Sequence, residues 1–248
     1  MNKKIVIFGA TSTIAEHCSR IWVESEAVDV ILVGRNKKAL NLIKNDLIAR
    51  NKKAIVSTEV INMTNVESVE NCISKHTASG NIDIALIAHG ILPEQDLCQN
   101  NIDSIDEIIN INATSHVIIG ETLAKVMEKQ HQGTIAFIGS VAGDRGRKSN
   151  YIYGATKAMV EIYTQGLRHR LHSSNVNVLL VKPGPTDTNM TKHLKNKIKN
   201  LATPESVAHI IVDAISKRKD VVYTPTKWKL IMFIVRNLPN FLFHKTNL

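Results

Sequence analysis

Seven short apolar runs, strung along the first 224 residues with helical periodicity between them, constrain this 248-residue chain more than any other feature. The runs fall at 4–8, 28–33, 54–60, 82–88, 134–139, 176–181 and 221–224. Helical spacing of apolar residues marks the stretches to about residue 26, 36–49, 102–129 and 151–172. Strands that alternate with helices over short links imply a parallel sheet wound on both faces. The expectation is an α/β doubly wound parallel sheet of about seven strands in one domain, residues 1–225. Residues 226–248 read as a separate, basic and aromatic tail.

The first run ends in Gly9-Ala-Thr-Ser-Thr-Ile-Ala15 and a helix follows. Strand, tight turn and helix start make an anion site, because free backbone N–H groups point out of the helix end. Gly9, Thr11, Ser12, Thr13 and Ile14 are the candidates for holding a dinucleotide, and this is a Rossmann-type arrangement. Thr13 fits the turn only if its φ is negative. The second run ends Gly34-Arg35-Asn36. An acid there suits a ribose hydroxyl, whereas Arg35 suits a 2′-phosphate, which favours NADP(H) over NAD(H). The other reading of Arg35 is a solvated residue opening the next helix.

Chemistry concentrates in Ser140, Tyr153 and Lys157. Tyr153 and Lys157 are four apart on a helix, so they share a face one turn apart. A phenol has a reference pKa near 10, and a neighbouring ammonium favours its ionised form, so Lys157 is expected to bring Tyr153 toward working range. Ser140 follows the run 134–139 and so stands at the carboxyl end of a strand, the edge where ligands bind in open α/β sheets. A hydroxyl there can hold a carbonyl oxygen while the phenol gives it a proton.

With Ser140 followed by Tyr153-x-x-x-Lys157, the chain resembles the short-chain dehydrogenase/reductase family from residue 3 to about 190. The resemblance implies NAD(P)-dependent oxidoreductase chemistry and further site residues. Asn62 and Met63 would lie beside the adenine. Ala88, His89 and Gly90 stand where the family has Asn-Ala-Gly, with Gly90 at the cofactor ribose and His89 a loop residue rather than a general base. Asn112 would hold a water that links Lys157 to solvent. Pro183, Gly184 and Thr188 would hold the nicotinamide carboxamide, and Lys157 its ribose. The chain departs from the family glycine pattern in keeping Gly9 alone, with Thr13 and Ala15 in place of two glycines. Gly-Ala-Thr-Ser-x-Ile-Ala, Ala-His-Gly-Ile-Leu-Pro and Gly-Asp-Arg-Gly-Arg-x-Ser-Asn-Tyr-x-Tyr-Gly, together with the basic aromatic tail, narrow the resemblance to the keto-reductase subunits of decaprenylphosphoryl-ribose 2-epimerase and their relatives. That branch implies a keto-sugar carried on a polyprenyl phosphate. Family habit also implies a homodimer or homotetramer that uses the Tyr–Lys helix.

Charge sharpens the reading of the tail. The net charge is +9, yet residues 188–248 hold eleven Lys and Arg against three acids. Five of the eleven aromatic residues follow residue 220. Apolar residues flanked by Lys and Arg suit a helix lying in a membrane interface, with Trp228, Ile231, Phe233, Ile234, Phe241 and Phe243 toward lipid or a lipid-like substrate and Lys227, Lys229, Arg236 and Lys245 toward headgroups. A subunit contact or a cover over the pocket accounts for the same pattern. No apolar run has the length of a membrane span. The start lacks a signal-peptide core and the three cysteines lack paired or metal-like spacing, so a cytoplasmic protein with reduced thiols and no metal is expected. Nucleic acid is a poor fit, because the lysines of 192–199 have no interleaved aromatics. The expected activity is NADPH-dependent carbonyl reduction, on a lipid-linked sugar ketone or on a soluble ketone. The alternative from another class is a dinucleotide-sensing regulator without turnover.

Overall fold

The structure, a computed structural model, describes residues 2–194 and 201–246. The seven strands are β1 Lys3–Phe8, β2 Val28–Gly34, β3 Ile55–Val60, β4 Ile84–Ile87, β5 Thr134–Ile138, β6 Asn177–Pro183 and β7 Val221–Thr224. They form one sheet in the order β3-β2-β1-β4-β5-β6-β7, and every neighbouring pair is parallel. Successive residues of a strand face opposite sides. Ile5 and Ile7 of β1 join one apolar cluster with Val30, Leu32, Leu86 and Val181, under α1 (Thr13–Ser25), α2 (Lys37–Arg50) and α8 (Pro204–Ser216). Val6 and Phe8 join the opposite cluster with Ile31, Ile87, Phe137 and Leu180, under α3 (Val66–Thr77), α6 (Ser115–Gln130) and α7 (Tyr151–Leu171). This is the doubly wound Rossmann-type sheet that the alternation predicts. The order reverses at β1, so a crevice opens beyond the carboxyl ends of β1 and β4.

Helix starts follow local capping chemistry. Asn36 Oδ1 accepts from Ala39 N–H, Asn65 Oδ1 from Ser68 N–H, and Thr203 Oγ1 from Ser206 N–H ahead of Pro204. The helix expected over 102–129 is not continuous. It divides into α5 (Ile102–Ile109), a π turn at Asn110–Thr114 and α6. Apolar periodicity continues through the extra residue, so spacing alone does not reveal the break. A short helix, α4 (Gln95–Asn100), precedes it.

The tail forms α9 (Lys227–Asn237) and α10 (Asn240–Phe243). Met232 and Val235 are buried against Val141, and Tyr223, Trp228 and Phe243 close round them. A Cβ on Gly184 would collide with the Trp228 indole, so only glycine lets α9 settle over the end of β6. Arg145 Nη1 donates to the carbonyls of Val235 and Leu238 at 2.6 and 2.5 Å, and Nη2 donates to Asn240 Oδ1 at 2.8 Å. Its guanidinium also stacks 3.9 Å from the Phe243 ring centroid. Trp228 and Phe243 do not share the outer face of their apolar neighbours: they turn inward, because the apolar floor at Val141 and the Arg145 cation offer them partners. Ile231, Phe233, Ile234 and Phe241 do face outward, with Phe233 66% and Phe241 67% exposed. Of the expected lysine cluster at 192–199, Lys195, Lys197 and Lys199 lie outside the described residues. No helix among the described residues is long and apolar enough to cross a membrane.

Candidate active site

Gly9 sits at the end of β1 with φ +79°, and a Cβ there would lie 2.5 Å from the His89 backbone nitrogen. The close approach of the β1 and β4 ends therefore requires glycine at this position. Among non-glycine residues described, positive φ occurs at His131, Asn175 and Arg218, so Thr13 meets the condition set for it. Gly9 and Ala10 donate to Val33 O, and Ser12 N–H donates back to Gly9 O at 2.9 Å. Ser12 occupies the N-cap of α1 and makes no side-chain cap bond. The first amides of α1 therefore keep their hydrogen-bonding capacity for an anion, which fits a dinucleotide phosphate. Thr11 is exposed and Thr13 half-buried beside this opening, while Ile14 points into the core. Arg35 is exposed just past β2. Asn62 Oδ1 is engaged in a local turn with Thr64 N–H at 3.1 Å, and Met63 packs in the apolar core. Thr188 is drawn toward Thr191, with its N–H donating to Thr191 Oγ1 at 3.1 Å.

Ser140, Tyr153 and Lys157 come together below the ends of β5 and β6. Ser140 Oγ accepts from Ala142 N–H at 3.0 Å, which fixes its rotamer, and it is hydrogen-bonded to the Tyr153 hydroxyl. Lys157 is buried, and its Nζ donates to Ile138 O at 3.1 Å and lies 5.7 Å from the Tyr153 ring centroid. Burial lowers its pKa to about 8. The sequence predicted that Lys157 would lower the phenol pKa. In the structure burial dominates and pushes Tyr153 up to about 12, while the Ser140 hydrogen bond and the Arg147 charge work against it. The physical reason is that an amine buried beside a buried phenol is itself reluctant to carry charge. Tyr153 is therefore a protonated phenol at neutral pH, fit to donate.

Asn112 is fully buried in the π turn. Its Nδ2 donates to Ile91 O and its Oδ1 accepts from Ile91 N–H, both at 2.8 Å. The amide thus pins the chain just after Gly90, and a Cβ on Gly90 would lie 3.0 Å from Asn112 Oδ1 and 3.8 Å from Lys157 Nζ. A π turn is a common way to aim a side chain at a site. Ala88 is buried and donates to Phe8 O at 2.8 Å. The His89 ring is buried, 4.1 Å from His116 by ring centroids. Ser115 Oγ donates to Ile111 O, so His89 Nε2 must carry the proton in its 2.6 Å bond to Ser115 Oγ. Burial, then the charges of Lys157 and Arg35, hold His89 down to about 3, so it stays neutral.

Sequence reasoning missed a buried ionic cluster beneath this site. Lys182 on β6 is 2% exposed and pairs with Asp144 and with Glu161 Oε2, the latter at 2.7 Å. Tyr223 donates to Asp144 Oδ2 at 3.0 Å. Burial disfavours the Lys182 charge, but the two carboxylates outweigh it and hold its pKa above the ordinary value. The signal was present: a lysine inside Val-Leu-Leu-Val-Lys-Pro must find an acid.

A family model described as short chain dehydrogenase matches residues 3–199. An uncharacterized oxidoreductase of Staphylococcus aureus (strain N315) is 30% identical over 220 residues, 89% of this chain and 94% of that protein. An uncharacterized oxidoreductase of Streptomyces coelicolor is 28% identical over 98% of this chain and 95% of that protein. Among solved structures, a short-chain dehydrogenase from Sphingobium yanoikuyae in complex with NADPH superposes with a TM-score of 0.83 at 21% identity, covering 96% of this chain and 97% of that one. A short chain dehydrogenase from Burkholderia cenocepacia J2315 in complex with NADP gives 0.84 at 20% identity, covering 98% and 97%.

The depressed pKa of Lys157 has a consequence for stability. Its native value of about 8 lies below the unfolded reference of about 10.4. Between those values the unfolded chain binds more protons, so the lysine's contribution rises with pH there and its full cost is felt below pH 8. That cost is on the order of 3 kcal/mol, and the hydrogen bond to Ile138 O returns about 1 kcal/mol. Without cofactor, Lys157→Met should therefore be more stable than the wild type in urea unfolding at pH 7. The advantage should shrink by pH 10, and an equal gap at both pH values would show an unperturbed amine.

Proposed function

The chain belongs to the short-chain dehydrogenase family and is an NAD(P)-dependent oxidoreductase, and we propose that it works as an NADPH-dependent carbonyl reductase. The observation that carries this reading is a phenol held protonated by burial and hydrogen-bonded to Ser140, beside a buried Lys157 amine. The reduced nicotinamide, when bound, supplies the hydride. Ser140 and Tyr153 hydrogen-bond the carbonyl oxygen as charge builds there, and Tyr153 gives up its proton. Lys157 holds the nicotinamide ribose, and Asn112 keeps Gly90 against it through Ile91. Pro183 and Gly184 offer backbone to the carboxamide under the Trp228 indole.

Arg35 supports the preference for NADPH, since its guanidinium is exposed at the end of β2 and makes no ion pair among the described residues. The lipid-linked sugar ketone implied by the closer resemblance draws support from the outward face of α9 and α10. Leu230, Phe233, Ile234 and Phe241 are exposed there, and Lys227, Lys229, Arg236 and Lys245 are exposed nearby. One side of the tail packs on Val141 and Gly184, and the other suits an anionic membrane surface.

Three measurements test these points. Tyr153→Phe should lower turnover of a reducible ketone by at least ~10² while NADPH still binds, and near-normal turnover would refute its role as proton donor. Arg35→Ala should weaken NADPH by roughly 1–3 kcal/mol and leave NADH almost unchanged, and equal losses would leave Arg35 a surface residue. Each basic residue near an anionic surface is worth about 1 kcal/mol, so the full chain should sediment with anionic liposomes at low salt and be released by salt. Phe233→Ser with Phe241→Ser should weaken that binding without uncovering the pocket. Indifference of the wild type to anionic liposomes would leave a soluble ketone as the substrate class.

A further inference from the structure

We propose that the β5–α7 loop and the first turn of α7 form a subsite for an anionic, hydroxyl-bearing part of the substrate, with Arg147 supplying the charge. This rests on the carbonyl-reductase reading, in which Tyr153 faces the reacting oxygen. Other cations in this region are committed. Arg145 is spent on Val235, Leu238 and Asn240, and Lys182 on Asp144 and Glu161. Arg147 makes no hydrogen bond or ion pair among the described residues, and its Nε is buried without a partner. The carboxylate whose charge acts on it, Asp144, is itself bonded to Lys182 and Tyr223. A largely buried guanidinium with only that shared counter-charge and no hydrogen bond of its own is costly, and such a position is maintained where a ligand completes it.

Two further buried atoms in the same place want partners. Gln95 is 8% exposed; its Oε1 accepts from Ile152 N–H at 3.2 Å, and its Nε2 has no partner. Asn150 stands at the N-cap of the 21-residue α7 without making a side-chain cap bond, and its Oδ1 is buried and unpartnered. Arg147 and Gln95 are donors, and the helix start, where Gln95 takes only the Ile152 amide, adds its remaining first-turn amides and a positive partial charge. Arg147, Gln95 Nε2 and those remaining first-turn amides match the oxygens of a phosphate or carboxylate. Asn150 Oδ1 needs a donor, which a sugar hydroxyl supplies and an apolar ketone does not. The anion is not the cofactor's own, because the uncapped start of α1 serves that role. At ~1.5 Å rise per residue, Asn150 and Tyr153 are about 4–5 Å apart along the axis, so the charged group lies within a short sugar's length of the reacting carbonyl.

The test uses the full chain saturated with NADPH and two readouts. Calorimetric titration with inorganic phosphate should show binding that weakens at least ~10-fold in Arg147→Gln and recovers in part in Arg147→Lys. In steady-state assays the wild type should favour dihydroxyacetone phosphate, or the carboxylate hydroxypyruvate, over neutral dihydroxyacetone in kcat/KM, and Arg147→Gln should collapse that ratio. The preferred anion of the two identifies its chemistry. Absence of phosphate binding in the wild type, or equal affinity in Arg147→Gln, overturns the proposal. So does a loss shared equally by charged and neutral ketones, which would assign Arg147 to tuning Tyr153. If no ketone is reduced but phosphate binding still depends on Arg147, the anion subsite stands and the reductase reading falls.

Discussion

An ammonium buried near the carboxyl end of a parallel strand must be met by carboxylates, and Lys182 draws its two from different parts of the chain. Asp144 lies four residues beyond Ser140, and Glu161 lies one helical turn beyond Lys157. The pairing ties β6 to the β5–α7 loop and to α7, and Tyr223 adds β7 through Asp144. Loss of one partner from such a group leaves an uncompensated buried charge, at a cost of about 3–5 kcal/mol. The distance between Ser140 and Tyr153 is therefore held from beneath by electrostatics that neither residue contributes to. The same cluster takes the direct bonds of Asp144 and leaves Arg147 only its charge at a distance, so the ion network and the proposed anion subsite are two results of one allocation of charge.

The carboxyl-terminal segment obeys a second allocation. It carries more apolar side chains than one helix face can bury, and the body of the protein offers only a small floor at Val141 and Tyr223. Trp228, Met232, Val235 and Phe243 take that floor, and Arg145 secures the helix end by accepting none and donating to three oxygens. Phe233, Ile234 and Phe241 are left outside. The tail thus has one face packed on the body of the protein and one apolar face left outside. The indole over Gly184 links the tail to the edge proposed to hold the nicotinamide.

The strands were legible because period and length speak directly to a buried parallel sheet, and all seven runs became strands within a residue or two. The Ser140, Tyr153, Lys157 set was legible because four-residue spacing and a strand end are local facts. Less legible were features that depend on a single residue's insertion or on remote pairing. Apolar spacing runs unbroken across 102–129, so the π turn that places Asn112 leaves no periodic trace. The clamp of the Asn112 amide on the Ile91 backbone is likewise a remote pairing that no spacing announces. Trp228 and Phe243 look like their neighbours in sequence and differ only in what lies opposite them.

Local pattern by itself determined the doubly wound sheet, the turn at Gly9 and the carboxyl-edge position of Ser140, because strand and helix periods and a glycine's freedom at positive φ operate within a few residues. Tertiary structure alone decided the protonation of the site. Tyr153 at about 12, Lys157 at about 8 and His89 at about 3 are set first by burial, with the charges of Lys157 and Arg35, tens of residues away in sequence, adding to it at His89. Desolvation is a property of everything packed around a group, and no spacing between neighbours encodes it.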